Sequence, residues 1–233
     1  MPSFETLFTV LLGLLAAGGA LALFAVLRRT RVSLAMTALG RGHFAEALAA
    51  ARTGPGAGRE ELWAAAVAAR HLLRFDEARS LLDRLLAADP GDGEARLESG
   101  LAAAYTGDLE AAERELLAAA AQRSDLTESI TLHRAWVALK RGDRTAARRL
   151  FDEIEAPLES KLRSDLGSGE PLFAEWFLQA AALWSAFGDP ERAEWAAAAG
   201  RASAPESRLA DLIGAVLTGA PGSSVQSGTI ELS

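Results

Sequence analysis

His43, His71 and His133 are the three histidines of this chain, and the first question is whether they do chemistry. A zinc site or an imidazole base needs partners at short helical spacing, as in H-E-x-x-H. No such spacing occurs, and the three fall one each in separate segments, so each reads as an ordinary surface or groove residue. Paired acids are the other raw material of acid–base catalysis, and Glu60-Glu61 and Asp76-Glu77 supply two pairs. Both stand where a helix is predicted to begin, and the positive end of the helix dipole already favours negative charge there. The glycine-rich stretch TGPGAGRE from Thr53 has the look of a phosphate cradle but lacks the Lys-Ser/Thr that would grip the phosphates and a metal, so nucleotide binding is rejected. Cysteine is absent, which excludes disulfides, thiolate zinc, iron–sulfur clusters and a thiol nucleophile. The sequence therefore predicts no catalytic site, no metal and no cofactor, and a protein that is not an enzyme.

The elements that carry these residues are helical. Ala and Leu dominate the 233 residues, half of which are hydrophobic, while β-branched residues are sparse and Gly and Pro fall between the apolar runs. That mixture favours helices and starves strands. The formal net charge is −7 with acids and bases interspersed, so no basic stripe exists to neutralise a nucleic-acid backbone.

The first thirty residues stand apart. After a short segment, 1–5, the run TLFTVLLGLLAAGGALALFAVL carries no charge and ends against Arg28, Arg29 and Arg31. At 1.5 Å per residue it spans about 30 Å, the thickness of a bilayer core, so residues 6–28 are predicted to form a transmembrane helix. A cleaved leader would want a basic start and a shorter apolar stretch, although Ala20-Leu21-Ala22 resembles a cleavage site. Lys and Arg are missing before the span and frequent after it, at Arg28, Arg29, Arg31 and Arg41, which places everything beyond the helix in the cytoplasm. Gly13, Ala17, Gly18, Ala20 and Ala22 put small residues four apart, a face on which such helices dimerise.

Beyond the span one phrase recurs. YTGDLEAAERELL from Tyr105, KRGDRTAARRLF from Lys140 and AFGDPERAEWAA from Ala186 each place an alanine five residues after a glycine. RGHFAEALAAA gives a fourth copy with Gly42 and Ala47, and LLRFDEARSLL a fifth, with Ala78 in register and Leu73 standing where the glycine would be. The anchoring alanines are 47, 78, 112, 147 and 193, spaced 31, 34, 35 and 46 apart. A period near 34 marks a stack of helix hairpins. The glycine ends one helix with φ > 0, the aspartate caps the next, and the alanine lets the two cross, with Leu81, Leu116, Leu117 and Phe151 filling the space beside it.

With these residues on the page, the chain resembles the tetratricopeptide repeat (TPR) family over roughly Leu34 to Pro205. Gly100, Ala66, Ala135 and Ala181 stand at the small position of the first helix, and Pro90 and Pro205 at the closing proline. The chain is thus expected to be all-α: a transmembrane helix, then over residues 29–219 the α-solenoid of about five hairpins that the resemblance implies, with a capping helix near Leu209, Leu212, Ile213, Val216 and Leu217, then a Gly/Ser-rich disordered tail, 220–233. It also implies a concave groove built from the first helix of each hairpin, lined by Trp63, Val67, Arg70, Leu97, Leu101, Tyr105, Leu132, Trp136, Lys140 and Leu178. Val67, Leu101 and Trp136 occupy the slots where the family's carboxylate clamp has asparagine, so the groove is expected to take a protein or peptide with an apolar or amphipathic segment.

Two features depart from the repeat. The stretch APLESKLRSDLGSGEPLF from Ala156 lengthens the fourth copy, most simply as a longer second helix and a loop, and Arg134, Lys140, Arg141, Arg144, Arg148 and Arg149 make that copy basic, most simply as a solvated face. The expectation is a single-pass scaffold or adaptor in a bacterial inner membrane that recruits or orders a partner. The alternative is the opposite topology, a periplasmic envelope-assembly or chaperone-like factor.

Overall fold

The computed structural model describes residues 29–51, 53–165, 173–204 and 207–209, and every described element is helical. A first helix α1 covers residues 29–40, followed by α2 (Phe44–Ala50), α3 (Arg59–His71), α4 (Phe75–Ala88), α5 (Gly93–Thr106) and α6 (Leu109–Gln122). After a short 3-10 turn come α7 (Thr127–Lys140), α8 (Arg144–Asp165), α9 (Ala174–Ala186) and α10 (Pro190–Ser203). Each odd helix pairs with the next to form a hairpin, giving five hairpins in the registers the repeated phrase dictates.

The turns have the predicted chemistry. Gly42, Gly107, Gly142 and Gly188 all have φ between 76° and 88°, and Leu73 takes the glycine's place at φ 61°. Leucine is strained there, and its side chain offsets the strain by packing against a neighbouring core. Asp108, Asp143 and Asp189 accept the amide hydrogens of Ala111, Ala146 and Arg192, which caps α6, α8 and α10. Gly107 has open space where a Cβ would go, so Gly107→Ala pits only the left-handed backbone against the entropy of the unfolded chain. It is expected to cost about 1 kcal/mol, read as a lower urea midpoint with an unchanged slope.

Ala47, Ala78, Ala112 and Ala147 are fully buried at the helix crossings and Ala193 nearly so. At the third crossing a Cβ on Gly100 would lie 2.9 Å from Leu116 Cγ, so the two helices meet too closely for any side chain. Leu81, Leu116 and Phe151 are buried beside the crossings as expected, but Leu117 is 47% exposed, one position off the buried stripe that Ala112, Leu116 and Ala119 define. The extension of the fourth copy is a longer second helix: α8 runs through Pro157 and buries Leu150, Phe151, Ile154, Leu158 and Leu162.

The predicted transmembrane helix at 6–28, the rest of the inserted loop, the capping helix beyond Leu209 and the tail 220–233 lie outside the described residues. Among the described residues no helix is long and apolar enough to cross a membrane.

One step of the array differs from the others. α5 and α7 lean mainly on the second helix of the preceding hairpin, α4 and α6 respectively, whereas α9 leans mainly on α7 and only thinly on α8. The final hairpin is thereby turned inward. Ala174 and Ala204, at its two ends, share a core with Ala35, Phe44 and Ala64 of the first two hairpins, so the array closes on itself.

Candidate functional site

The inner helices carry the site. α3 presents Trp63, Val67 and Arg70 at intervals of four and three, α5 presents Leu97, Leu101 and Tyr105, and α7 presents Trp136 and Lys140, all at spacings that repeat one face of a helix. Leu97, Leu101, Tyr105, Trp136 and Leu178 join one cluster. Leu132 belongs to another, among Phe151, Phe177 and Trp184, because its place on α7 turns it toward the last two hairpins. The open groove expected from the sequence is filled: Val67, Arg70, Leu97, Leu101, Tyr105, Trp136 and Leu178 are buried, Trp63 is half-buried and Lys140 is exposed. The occupant is α9, and the reason is hydrophobic, since an apolar inner face of this extent gains stability from any cover the chain can supply.

Polar side chains tie α9 in place. Arg70 donates from Nε to Glu98 (2.9 Å) and from an Nη to Glu175 (2.7 Å), 105 residues away. Tyr105 donates its hydroxyl to Glu175 Oε1 at 2.6 Å, and Gln179 donates its amide to the same oxygen at 3.1 Å. The Gln179 carbonyl lies 2.7 Å from His133 Nδ1, and the other ring nitrogen of His133 lies 3.1 Å from Ser129 Oγ. On the far side His71 stacks on Phe44, with ring centroids 4.1 Å apart, and places Nδ1 3.0 Å from Ser207 Oγ.

The two carboxylates that share Arg70 differ in kind. Burial opposes ionisation of Glu175, yet the Arg70 charge and the Tyr105 hydroxyl, joined at low pH by the two histidines once they protonate, outweigh it and hold the pKa at about 2. Glu98 suffers the same burial with Arg70 as its one hydrogen-bond partner among the described residues, and its pKa is raised. Burial, helped by Arg70, lowers His71 to about 3, and burial lowers His133, so both imidazoles are neutral near pH 7. The Tyr105 hydroxyl is driven well above 10 by burial and by Glu175. A phenol so protonated and a carboxylate so acidic are poor bases and poor nucleophiles near pH 7.

A cavity of about 100 Å³ sits at the centre, walled by Trp63, Arg70, Glu98, Ser129, His133 and Glu175, with Trp176 completing it. No family model, curated protein or solved structure matches the chain. The reading of this site therefore rests on its own geometry. Among the described residues no group of three His, Asp or Glu is placed to hold a metal ion.

Glu98, Ser129, Glu175 and Gln179 were not legible as site residues, and His71 and His133, which sequence places at the surface or in a groove, are buried in the network. One signal was available: Glu175 and Gln179 stand one turn apart on a helix, AEWFLQAAALWSA, that is otherwise apolar all round. The basic residues of the fourth copy are largely spent locally. Arg134 pairs with Glu113, Lys140 donates to the Ala104 carbonyl, Arg144 binds the Ala186 carbonyl, and Arg148 reaches Asp152 and Glu155.

Proposed function

We propose that the chain is a membrane-anchored scaffold of the tetratricopeptide kind, which recruits or orders a partner protein at a bacterial inner membrane, with the hairpin array on the cytoplasmic side. The observation that carries this reading is the fivefold repetition of a left-handed turn followed by a buried alanine, which builds a rigid stack and commits no residue to chemistry. The anchor rests on the uncharged run of residues 6–28 and the arginines that follow it.

Since α9 covers the inner face, the partner's contact falls on the half-buried indoles at its edge, Trp63 and Trp176. Aromatic residues of that kind are the common anchors of protein interfaces. Photo-reactive residues at positions 63 and 176, in the membrane-bound protein, are expected to capture one discrete partner, and residues at the buried positions 101 and 136 none. Capture only from 101 and 136 would mean that the partner replaces α9, and capture from no position would remove the scaffold reading. An export-dependent reporter fused after Ser233 is expected to be inactive; activity would turn the domain to the other side of the membrane.

A further inference from the structure

The charges around the central cavity do not balance. One guanidinium, Arg70, faces two carboxylates, Glu98 and Glu175; Arg70 and Glu175 are almost fully buried, and the Glu98 side chain is 12% exposed. Glu175 disperses its charge over Arg70, the Tyr105 hydroxyl and the Gln179 amide. Glu98 meets Arg70 through Oε2 alone, and its Oε1 has no hydrogen-bond partner among the described residues. Neither histidine in the wall supplies the missing positive charge, since burial keeps both neutral. Other nearby groups do not pair with Glu98: Glu94 adds negative potential there, the Lys140 ammonium is held 2.6 Å from the Ala104 carbonyl and 4.7 Å above the Trp136 ring, and the Lys161 ammonium lies 4.9 Å over the Trp176 ring.

We propose that this cavity is a binding site for a single cationic group, a primary ammonium or a guanidinium, which pairs with Glu98 between the indoles of Trp63 and Trp176. A buried carboxylate without full compensation is costly, and a cation that enters relieves that cost. Indole faces attract cations, so the aromatic part of the wall favours the ligand. The volume decides the size. About 100 Å³ is the room of roughly three waters, which suits an ammonium on a short alkyl stem or a guanidinium and is below the range of a drug-sized ligand. Anions are excluded by the two carboxylates. The site stands without the scaffold role, because its evidence is the charge balance and shape of the cavity rather than the repeats.

The test uses the whole chain in detergent, at pH 7.5 and constant ionic strength, with n-propylammonium, guanidinium at low millimolar concentration, a Nα-acetyl-lysine amide and, as the neutral control, n-propanol. Saturable binding by calorimetry, with a matching rise in melting temperature, is expected for the cations and not for propanol. Glu98→Gln is expected to weaken binding at least ten-fold while leaving the circular dichroism unchanged, and Trp176→Ala, at the rim, by roughly five-fold. Tighter binding of the lysine derivative than of propylammonium assigns the site to a side chain of a partner; the reverse assigns it to a free amine, and either supports the proposal. Cation binding that is absent or unsaturable, or that Glu98→Gln and Trp176→Ala both leave intact, overturns it, and a proton on Glu98 is then what balances the charge.

Discussion

Arg70→Met is expected to lower the unfolding free energy by about 3–5 kcal/mol, more than any change to either acid it holds. Methionine matches the stem of arginine in volume, so packing is nearly conserved, but Glu98 and Glu175 are left facing one another with no cation between them. Glu175→Gln should cost less, because Arg70 keeps Glu98 as a partner while Tyr105 and Gln179 keep a neutral acceptor. Glu98→Gln should be close to neutral, since it removes the carboxylate that is poorly compensated. For a domain of this size 1 kcal/mol corresponds to about 2–4 °C in melting temperature, so Arg70→Met should melt roughly 6–20 °C below the parent at pH 7.5. The order Met at 70, then Gln at 175, then Gln at 98 is the diagnostic outcome. Equal melting temperatures for all three would mean that apolar contact alone keeps α9 in the groove.

Stability should also fall steeply on mild acidification. His71 has a folded pKa of about 3 against 6.5 in a free chain, so its contribution is complete above about pH 6.5 and is lost as pH falls, when the unfolded chain takes up a proton that the folded one refuses. The loss runs at about 1.4 kcal/mol per pH unit, or about 2 kcal/mol by pH 5. His133 is shifted in the same direction and adds to it. Glu175 has its pKa depressed to about 2, so its share is present above pH 4.5 and disappears only below that. Glu98 works the other way: with a raised pKa the folded state binds its proton first, and stability recovers slightly as pH falls toward 4.5. The net expectation between pH 8 and 5 is a loss dominated by the histidines. Urea denaturation at the two pH values measures it, and His71→Gln, less stable at pH 8 for want of the Phe44 stack, should show a flatter profile and approach the parent at pH 5. A parent profile that is flat over this range would rule out a buried neutral imidazole at position 71.

The hairpins could be read from the chain because their requirements are local. A left-handed turn, a capping aspartate and a small crossing residue each involve positions a few residues apart, and even Leu73 was identifiable as the glycine position of its copy. The inner face was legible as a register for α3, α5 and most of α7, but Leu132 fell on the wrong side, as one residue of error on a helix rotates a side chain by 100°. What covers that face was not legible. The contacts that bring Glu175 to Arg70 and Ser207 to His71 span 105 and 136 residues, and no periodicity records them. The polar network escaped for a related reason: a buried Glu or Gln in an apolar helix is sensible only once its distant partner is known.

The inward turn of the last hairpin also fixes a number. An open stack tolerates duplication, because an inserted unit meets neighbours like those it displaced, and such proteins grow and shrink by whole units over evolutionary time. Here the fifth hairpin returns to the second, and the Arg70–Glu175 pair measures that distance. A sixth hairpin inserted between them would carry Glu175 away from Arg70 and Tyr105, leaving its carboxylate without a counter-charge. The unit count of this protein is thus fixed by its closure, at a join made by the Arg70–Glu175 pair, the Tyr105 and His71 hydrogen bonds and the core around Ala174 and Ala204.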